Sequence, residues 1–269
     1  MAILVTEQGI VHYEVYGRGR PVLFLHGWLG SWNLWRATIA ELSKEFRTFA
    51  LDFWGFGESG EQGMDFSIDN FVLLVNEFMD RLGMVKAPLV GHSMGGTVAL
   101  GAAVRYPHKV VKTVVVGSPI VGSSLRQPLK LAAYSGWQSL SQSSPLLFDT
   151  FMRGLRVALP VYSRFIAEDG QALWKMMEQD VADLSGGAFF QSIATLRRAD
   201  LRARVGELKM PILGIYGKKD RIVHPGQAQV LKQYAPHSQI AWFEKSGHFP
   251  MMDESQRFHT TLRDFLNSG

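Results

Sequence analysis

The sequence contains no cysteine among its 269 residues. Disulfides, thiolate metal sites and a cysteine nucleophile are therefore excluded. No basic segment precedes a long apolar stretch near the start, so no secretory signal is visible and a cytoplasmic location is expected. The formal net charge is only +4, and the basic residues are scattered in small groups. Because a nucleic-acid binder needs a concentrated basic face, we expect no nucleic-acid partner.

Long apolar runs are also scarce. One stretch, residues 87–104, has no Asp, Glu, Lys or Arg over 18 residues, which is the lower limit for a helix that spans a membrane. It contains His92, Ser93, Thr97 and four glycines. This composition favours a buried strand, a tight turn and a small-residue helix, so we predict no membrane span.

The composition is otherwise typical of a soluble globular protein, with 46% hydrophobic and 19% charged residues. A chain of this length lies near the upper limit for one hydrophobic core. We therefore expect one folded domain, an enzyme or a binding protein, with room for an inserted subdomain. The sequence carries no signal for the oligomeric state.

Short apolar, β-branched runs alternate with stretches of helical periodicity. This pattern is typical of βαβ units around a mostly parallel sheet, so the predicted fold class is α/β. The predicted strands cover residues 11–16, 22–25, 48–51, 89–90, 111–116, 212–216 and 240–243. The predicted helices begin after Ser31, after Ser67, at Thr97, at Pro225 and at Glu254.

The alternation stops between about residues 119 and 208, where no convincing strand occurs. Prolines and glycines divide this block, which is rich in Leu, Met, Trp and Phe, into helices. We predict a core domain of residues 1–118 and 209–269, and a helical cap subdomain of residues 119–208 over one end of the sheet.

The strongest chemical signal is the segment Gly-His-Ser-Met-Gly at 91–95, which matches G-x-S-x-G between a predicted strand and a predicted helix. A turn this sharp holds its serine in a strained geometry and exposes the hydroxyl. Ser93 is therefore the candidate nucleophile. By chance alone, a short glycine and serine pattern also arises in ordinary turns.

A serine hydroxyl is a weak nucleophile at neutral pH and needs a base that a third group orients. His248 follows the last predicted strand, and Asp220 follows the strand before it. Parallel strands place their carboxyl ends at one edge, so both should meet Ser93 there. The order of the three residues along the chain, Ser, Asp, His, also suits this arrangement. The alternative interpretation of Asp220 is a solvated residue in a turn.

The other histidines have simpler explanations. Five lie at polar or loop positions where a solvated surface histidine is expected: His12, His108, His224, His237 and His259. His26 and His92 flank the expected site within tight glycine turns, where we expect a packing or hydrogen-bonding role.

Acyl transfer also needs donors that stabilise the developing oxyanion. We predict that the backbone N–H groups of Trp28 and Met94 form this oxyanion hole. Trp28 is also a candidate to line the pocket.

Five segments carry a family resemblance: 25–28, 52–59, 91–95, 216–220 and 246–248. Together they resemble the α/β-hydrolase superfamily over most of the chain, and bring to mind its capped esterases, carbon–carbon bond hydrolases and cofactor-free perhydrolases. The resemblance implies an eight-stranded, mostly parallel sheet with a cap after strand six. It also implies the same triad and oxyanion amides, and a structural part for Asp52 and Ser59. Serine at position 93 departs from the dehalogenase and epoxide hydrolase branches, whose nucleophile is aspartate.

The predicted function is hydrolysis of a carboxylic ester or related small acyl substrate through an acyl-enzyme, without a cofactor or a metal. Acyl transfer, perhydrolysis and carbon–carbon bond hydrolysis on the same triad stay open. So does a ligand receptor of the same fold without turnover. The block 119–208 offers an apolar pocket wall from Trp137, Phe148, Phe151, Met152, Trp174, Met176, Met177, Phe189 and Phe190. An apolar acyl or aryl group is therefore expected, although such residues also pack against neighbouring helices.

Overall fold

The computed structural model describes residues 2–60, 65–127, 129–134, 137, 144–182 and 184–268. Its centre is an eight-stranded sheet in the order β1-β2-β4-β3-β5-β6-β7-β8. The strands are β1 (Ala2–Thr6), β2 (Gly9–Tyr16), β3 (Pro21–Leu25), β4 (Arg47–Leu51), β5 (Ala87–His92), β6 (Val110–Val116), β7 (Ile212–Gly217) and β8 (Gln239–Phe243). The predicted fold class is confirmed.

Strands β3 to β8 pair in parallel, whereas β1 and β2 form an antiparallel edge. The central strands are buried on both faces, which explains their continuous apolar runs. The residue pattern did not predict β1. Its side chains Ile3 and Val5 are 60% and 66% exposed, whereas Leu4 between them is half-buried, so the apolar residues of this strand lie on both faces and do not mark a buried one.

Helices connect the strands of the sheet. They are α1 (Arg36–Leu42), α2 (Ile68–Arg81), α3 (Met94–Arg105), α4 (Leu129–Ala132), α5 (Pro145–Ile166), α6 (Gly170–Ala182), α7 (Gly186–Arg198), α8 (Arg202–Val205), α9 (Gln227–Tyr234), α10 (Pro250–Asp253) and α11 (Ser255–Asn267). The Ser67 hydroxyl accepts a hydrogen bond from the N–H of Asn70 at 3.3 Å and caps α2 as predicted. Pro225 was predicted to lie in the first turn of α9, but it precedes the N-cap residue Gly226.

Between β6 and β7 the chain leaves the sheet and forms α4 to α8. The two ends of this excursion lie side by side: the N–H of Gly122 donates to the carbonyl of Ala199 at 2.8 Å, and that of Leu201 donates to the carbonyl of Ile120 at 3.0 Å. A unit whose entry and exit are adjacent can be inserted without disturbing the sheet. The sequence-based boundaries of the cap subdomain stay a prediction.

Residues 87–104 form β5, a turn and most of α3, as the sequence predicted. Across the described ranges, none of the helices has the length and apolar character needed to cross a bilayer. The cytoplasmic location and the lack of a nucleic-acid partner stay predictions.

Candidate active site

Ser93 occupies the turn between β5 and α3, with φ 51° and ψ −117°. A non-glycine residue in this region is strained, and surrounding structure must hold it there. The flanking glycines allow this turn: a Cβ at Gly91 would collide with the carbonyl of Gly95, and a Cβ at Gly95 would collide with the carbonyls of Leu25 and His26. The sequence therefore sets the sharp turn through close backbone packing.

His248 lies in the loop after β8, and its Nδ1 is 2.7 Å from Oδ2 of Asp220. Both residues are buried, at 3% exposure each. Oδ1 of Asp220 accepts the N–H groups of Ile222 at 2.8 Å and Val223 at 2.9 Å, which fixes the carboxylate. Because a carboxylate only accepts, Nδ1 is the donor, and Nε2 of the neutral ring is left as an acceptor.

Ser93 and His248 both line one cavity at the carboxyl edge of the sheet. Among the described residues, no hydrogen bond joins the Ser93 hydroxyl to the His248 ring. Catalytic hydrogen bonds are often long before substrate binds.

The two predicted oxyanion donors lie in the turns after β3 and β5. In the described part of the chain, neither the Trp28 amide nor the Met94 amide donates to another backbone group. Leu29, next to Trp28, has φ 62°, and it and Ser93 are the non-glycine residues with positive φ among those described. Strain is thus concentrated in the two turns that carry the free amides, which suits a preorganised anion site.

His26 and His92 make the hydrogen bonds expected of them. His26 Nδ1 donates to the carbonyl of Gly27 at 2.8 Å, and its Nε2 accepts the N–H of Phe53 at 3.0 Å. His92 Nε2 donates to the carbonyl of His248 at 2.9 Å. Burial lowers the pKa of His92 well below its usual value. A neutral His92 therefore supports the His248 loop.

The loop after β4 is held by Asp52 and Ser59, in line with the structural part that the resemblance implied. Asp52 accepts the N–H of Trp32 at 2.6 Å, and the Ser59 hydroxyl donates to the carbonyl of Asp52 at 2.8 Å. The surface position predicted for His12 is wrong: it is 1% exposed, and its Nδ1 lies 2.8 Å from Asp52 Oδ2. The partner is forty positions away in sequence, so the local pattern gave no signal.

The cavity has a volume of about 430 Å³ and an almost wholly apolar lining. Five of the nine apolar candidates for the pocket wall line it: Trp137, Phe151, Met177, Phe189 and Phe190. Trp28 lines it too, 4.7 Å from Phe189 between ring centres. A larger groove of about 690 Å³ beside His224 contains no triad candidate. The smaller cavity borders Ser93 and His248, and aromatic and aliphatic side chains share its wall.

Sequence reasoning missed one face of α5. Leu155, Ala158, Leu159, Tyr162 and Ile166 all line the cavity. Their spacing of three or four residues places them on one side of a helix. This periodicity was the signal that could have identified them.

Ser93 is strained and lies at the N-terminus of α3, and the buried His248–Asp220 pair lies at the same edge of the parallel sheet. This arrangement is typical of the class of serine hydrolases. The chain belongs to the alpha/beta hydrolase fold family, whose family model matches residues 20–255.

Relatives and solved structures agree with this assignment. The chain is 28% identical over 268 residues to the pimeloyl-[acyl-carrier protein] methyl ester esterase of Aliivibrio fischeri (strain MJ11), covering 96% of this chain and 97% of the relative. It is 28% identical over 277 residues to the 2-hydroxy-6-oxo-6-phenylhexa-2,4-dienoate hydrolase of Burkholderia cepacia, covering 99% and 96%. An esterase structure from Exiguobacterium antarcticum matches with a TM-score of 0.83 at 24% identity, covering 99% and 98%. The chain is a serine hydrolase of this fold.

Proposed function

We propose that this hydrolase cleaves uncharged carboxylic esters with an apolar acyl or aryl group, using Ser93, His248 and Asp220. The observation that carries the proposal is the shared cavity: the strained Ser93 and the His248–Asp220 pair border one apolar pocket. The residues 119–208 act as a cap that supplies much of the pocket wall.

The mechanism follows from the geometry. Ser93 Oγ attacks the ester carbonyl carbon while His248 Nε2 takes the hydroxyl proton. Asp220 holds Nδ1–H and stabilises the imidazolium that forms. The amides of Trp28 and Met94 donate to the oxyanion. The alcohol then leaves with the proton from His248, and water repeats the sequence on the acyl-enzyme to release the acid.

The charge of the pocket favours a neutral substrate. Its lining contains no Lys or Arg among the described residues, and the sequence has neither residue type at the positions that the structure does not describe. Burying a carboxylate without a cationic partner is unfavourable. The Burkholderia cepacia relative is named for a dienoate, which is a carboxylate. An uncharged ester therefore fits this pocket better than such a carbon–carbon bond substrate.

The test is a pair of p-nitrophenyl esters of equal acyl length, the hexanoate and the mono-ester of adipate, which adds a terminal carboxylate. We expect the wild-type protein to hydrolyse the hexanoate at least a hundredfold more efficiently in kcat/KM. Ser93→Ala should abolish turnover and labelling by a fluorophosphonate probe, whereas Ser123→Ala, at an exposed site outside the cavity, should keep both.

Three results would contradict the proposal. Retained labelling in Ser93→Ala would remove Ser93 as the nucleophile. Equal efficiency on the two esters would show that the pocket tolerates an anion, and would favour the carboxylate substrates of the dienoate hydrolase. Stable ester binding without sustained turnover would instead indicate a receptor.

A further inference from the structure

Most polar groups at the cavity wall are already bonded within the protein. The indole N–H of Trp28 donates to the carbonyl of Phe189 at 3.0 Å, and that of Trp137 donates to the carbonyl of Leu131 at 3.1 Å. Among the described residues, His92 Nδ1 has no hydrogen-bond partner, but this atom is fully buried, and a Cβ at Gly27 would lie 2.8 Å from it. It is therefore packed beneath the backbone, out of reach of a ligand.

Three side-chain groups remain uncommitted among the described lining residues: Ser93 Oγ, His248 Nε2 and the hydroxyl of Tyr162. The first two belong to the proposed reaction. Tyr162 has no assigned part: it is a half-buried residue of the cavity wall, and its hydroxyl forms no hydrogen bond to another described residue, so it is free to bind a ligand. Burial, with the nearby charge of Asp220, raises the pKa of Tyr162. The phenol therefore stays protonated near neutral pH and can donate.

The position of Tyr162 indicates which part of the substrate it meets. Tyr162 belongs to α5, and the last residue of this helix, Ile166, accepts the backbone N–H of His248 at 3.4 Å. The charge of Asp220 also reaches the phenol. Tyr162 is thus on the histidine–aspartate side of the cavity, whereas Trp28 and Phe189 form the wall beside the oxyanion donors.

In acyl transfer, the histidine returns its proton to the leaving oxygen, so the leaving group must lie on the histidine side. We propose that the Tyr162 hydroxyl binds the leaving oxygen of the ester and stabilises it as the acyl carbon–oxygen bond breaks. This inference rests on the proposed function. The electron pair of the broken bond passes to the leaving oxygen and His248 supplies the proton. Tyr162 keeps its own proton and contributes a hydrogen bond.

The test compares Tyr162→Phe with the wild-type protein on two hexanoate esters, ethyl and p-nitrophenyl. Ethoxide is a poor leaving group and gains from the hydrogen bond, whereas p-nitrophenolate disperses its own charge. We expect kcat/KM to fall about tenfold for the ethyl ester and less than about twofold for the p-nitrophenyl ester. Tyr134→Phe is the matched control, because Tyr134 is 63% exposed and does not line the cavity; it should change neither value.

Labelling of Tyr162→Phe by the fluorophosphonate probe at the wild-type rate would show that the site is folded. An equal loss on both esters would assign Tyr162 to the acyl side or to structure alone, and no loss on either would also overturn the inference. If the wild-type protein hydrolysed neither ester, the proposed function itself would fail. That outcome differs from an equal loss on both esters and from no loss on either, which concern Tyr162 alone.

Discussion

Replacing Asp220 by Asn tests the geometry of the proposed triad with little change in shape. The Asn side-chain oxygen can still accept the N–H groups of Ile222 and Val223, at 2.8 and 2.9 Å in the native structure. Its NH₂ group then faces His248 Nδ1, 2.7 Å from the present carboxylate oxygen. Because an amide nitrogen only donates, it favours the ring tautomer with the proton on Nε2. That ring cannot take the proton of Ser93.

The cost follows from this change of tautomer. The equivalent substitution in serine proteases lowers kcat about 10⁴-fold, which corresponds to about 5.5 kcal/mol at 1.36 kcal/mol per tenfold change. We expect a loss of similar size for Asp220→Asn on p-nitrophenyl hexanoate. The thermal unfolding midpoint should change little, because both amide hydrogen bonds are kept.

The assay is the steady-state rate of p-nitrophenol release, with thermal unfolding measured on the same samples. Asp200→Asn is the control, because Asp200 forms an exposed ion pair with Arg202; it should stay within about twofold of the wild-type rate. A folded Asp220→Asn protein that keeps more than a tenth of wild-type kcat would refute the assignment of Asp220.

Two further predictions concern stability. Gly95→Ala should lower the free energy of unfolding by about 2–4 kcal/mol, because its Cβ would collide with backbone carbonyls of residues 25 and 26. Gly154→Ala, in an exposed part of α5 with open space around it, should raise the free energy of unfolding by about 0.5–1 kcal/mol. Urea unfolding of both variants measures this contrast, and equal effects would contradict it. Burial opposes protonation of His12, but the hydrogen bond and charge of Asp52, with other nearby carboxylates, outweigh it and raise the pKa of His12. The wild-type protein should therefore be more stable than His12→Asn, by the full amount below about pH 6.5, and should lose this extra stability as pH rises through the raised folded-state pKa. Urea unfolding between pH 5.5 and 8.5 measures the difference in stability. A difference that grows with pH would contradict the prediction.

The sequence was sufficient to predict seven of the eight strands, β2 to β8, and to bring the site candidates to one edge. Ser93 follows from the glycines that its turn requires, and the other two candidates follow from their places after β7 and β8. These are local patterns combined with a rule of parallel sheets, so no tertiary detail was needed.

The remaining features depend on contacts between distant segments. The burial of His12 depends on Asp52, and the exposed residues of β1 carry no core pattern. The orientation of Tyr162 depends on how α5 packs against the His248 loop.

The most direct test of the central claim is peptide mapping by mass spectrometry after reaction with the fluorophosphonate probe. We predict one adduct per chain, located on the residue Ser93 and prevented by prior incubation with a neutral ester-like inhibitor that fills the cavity. An adduct on any other residue of a protein that still hydrolyses esters would contradict the account.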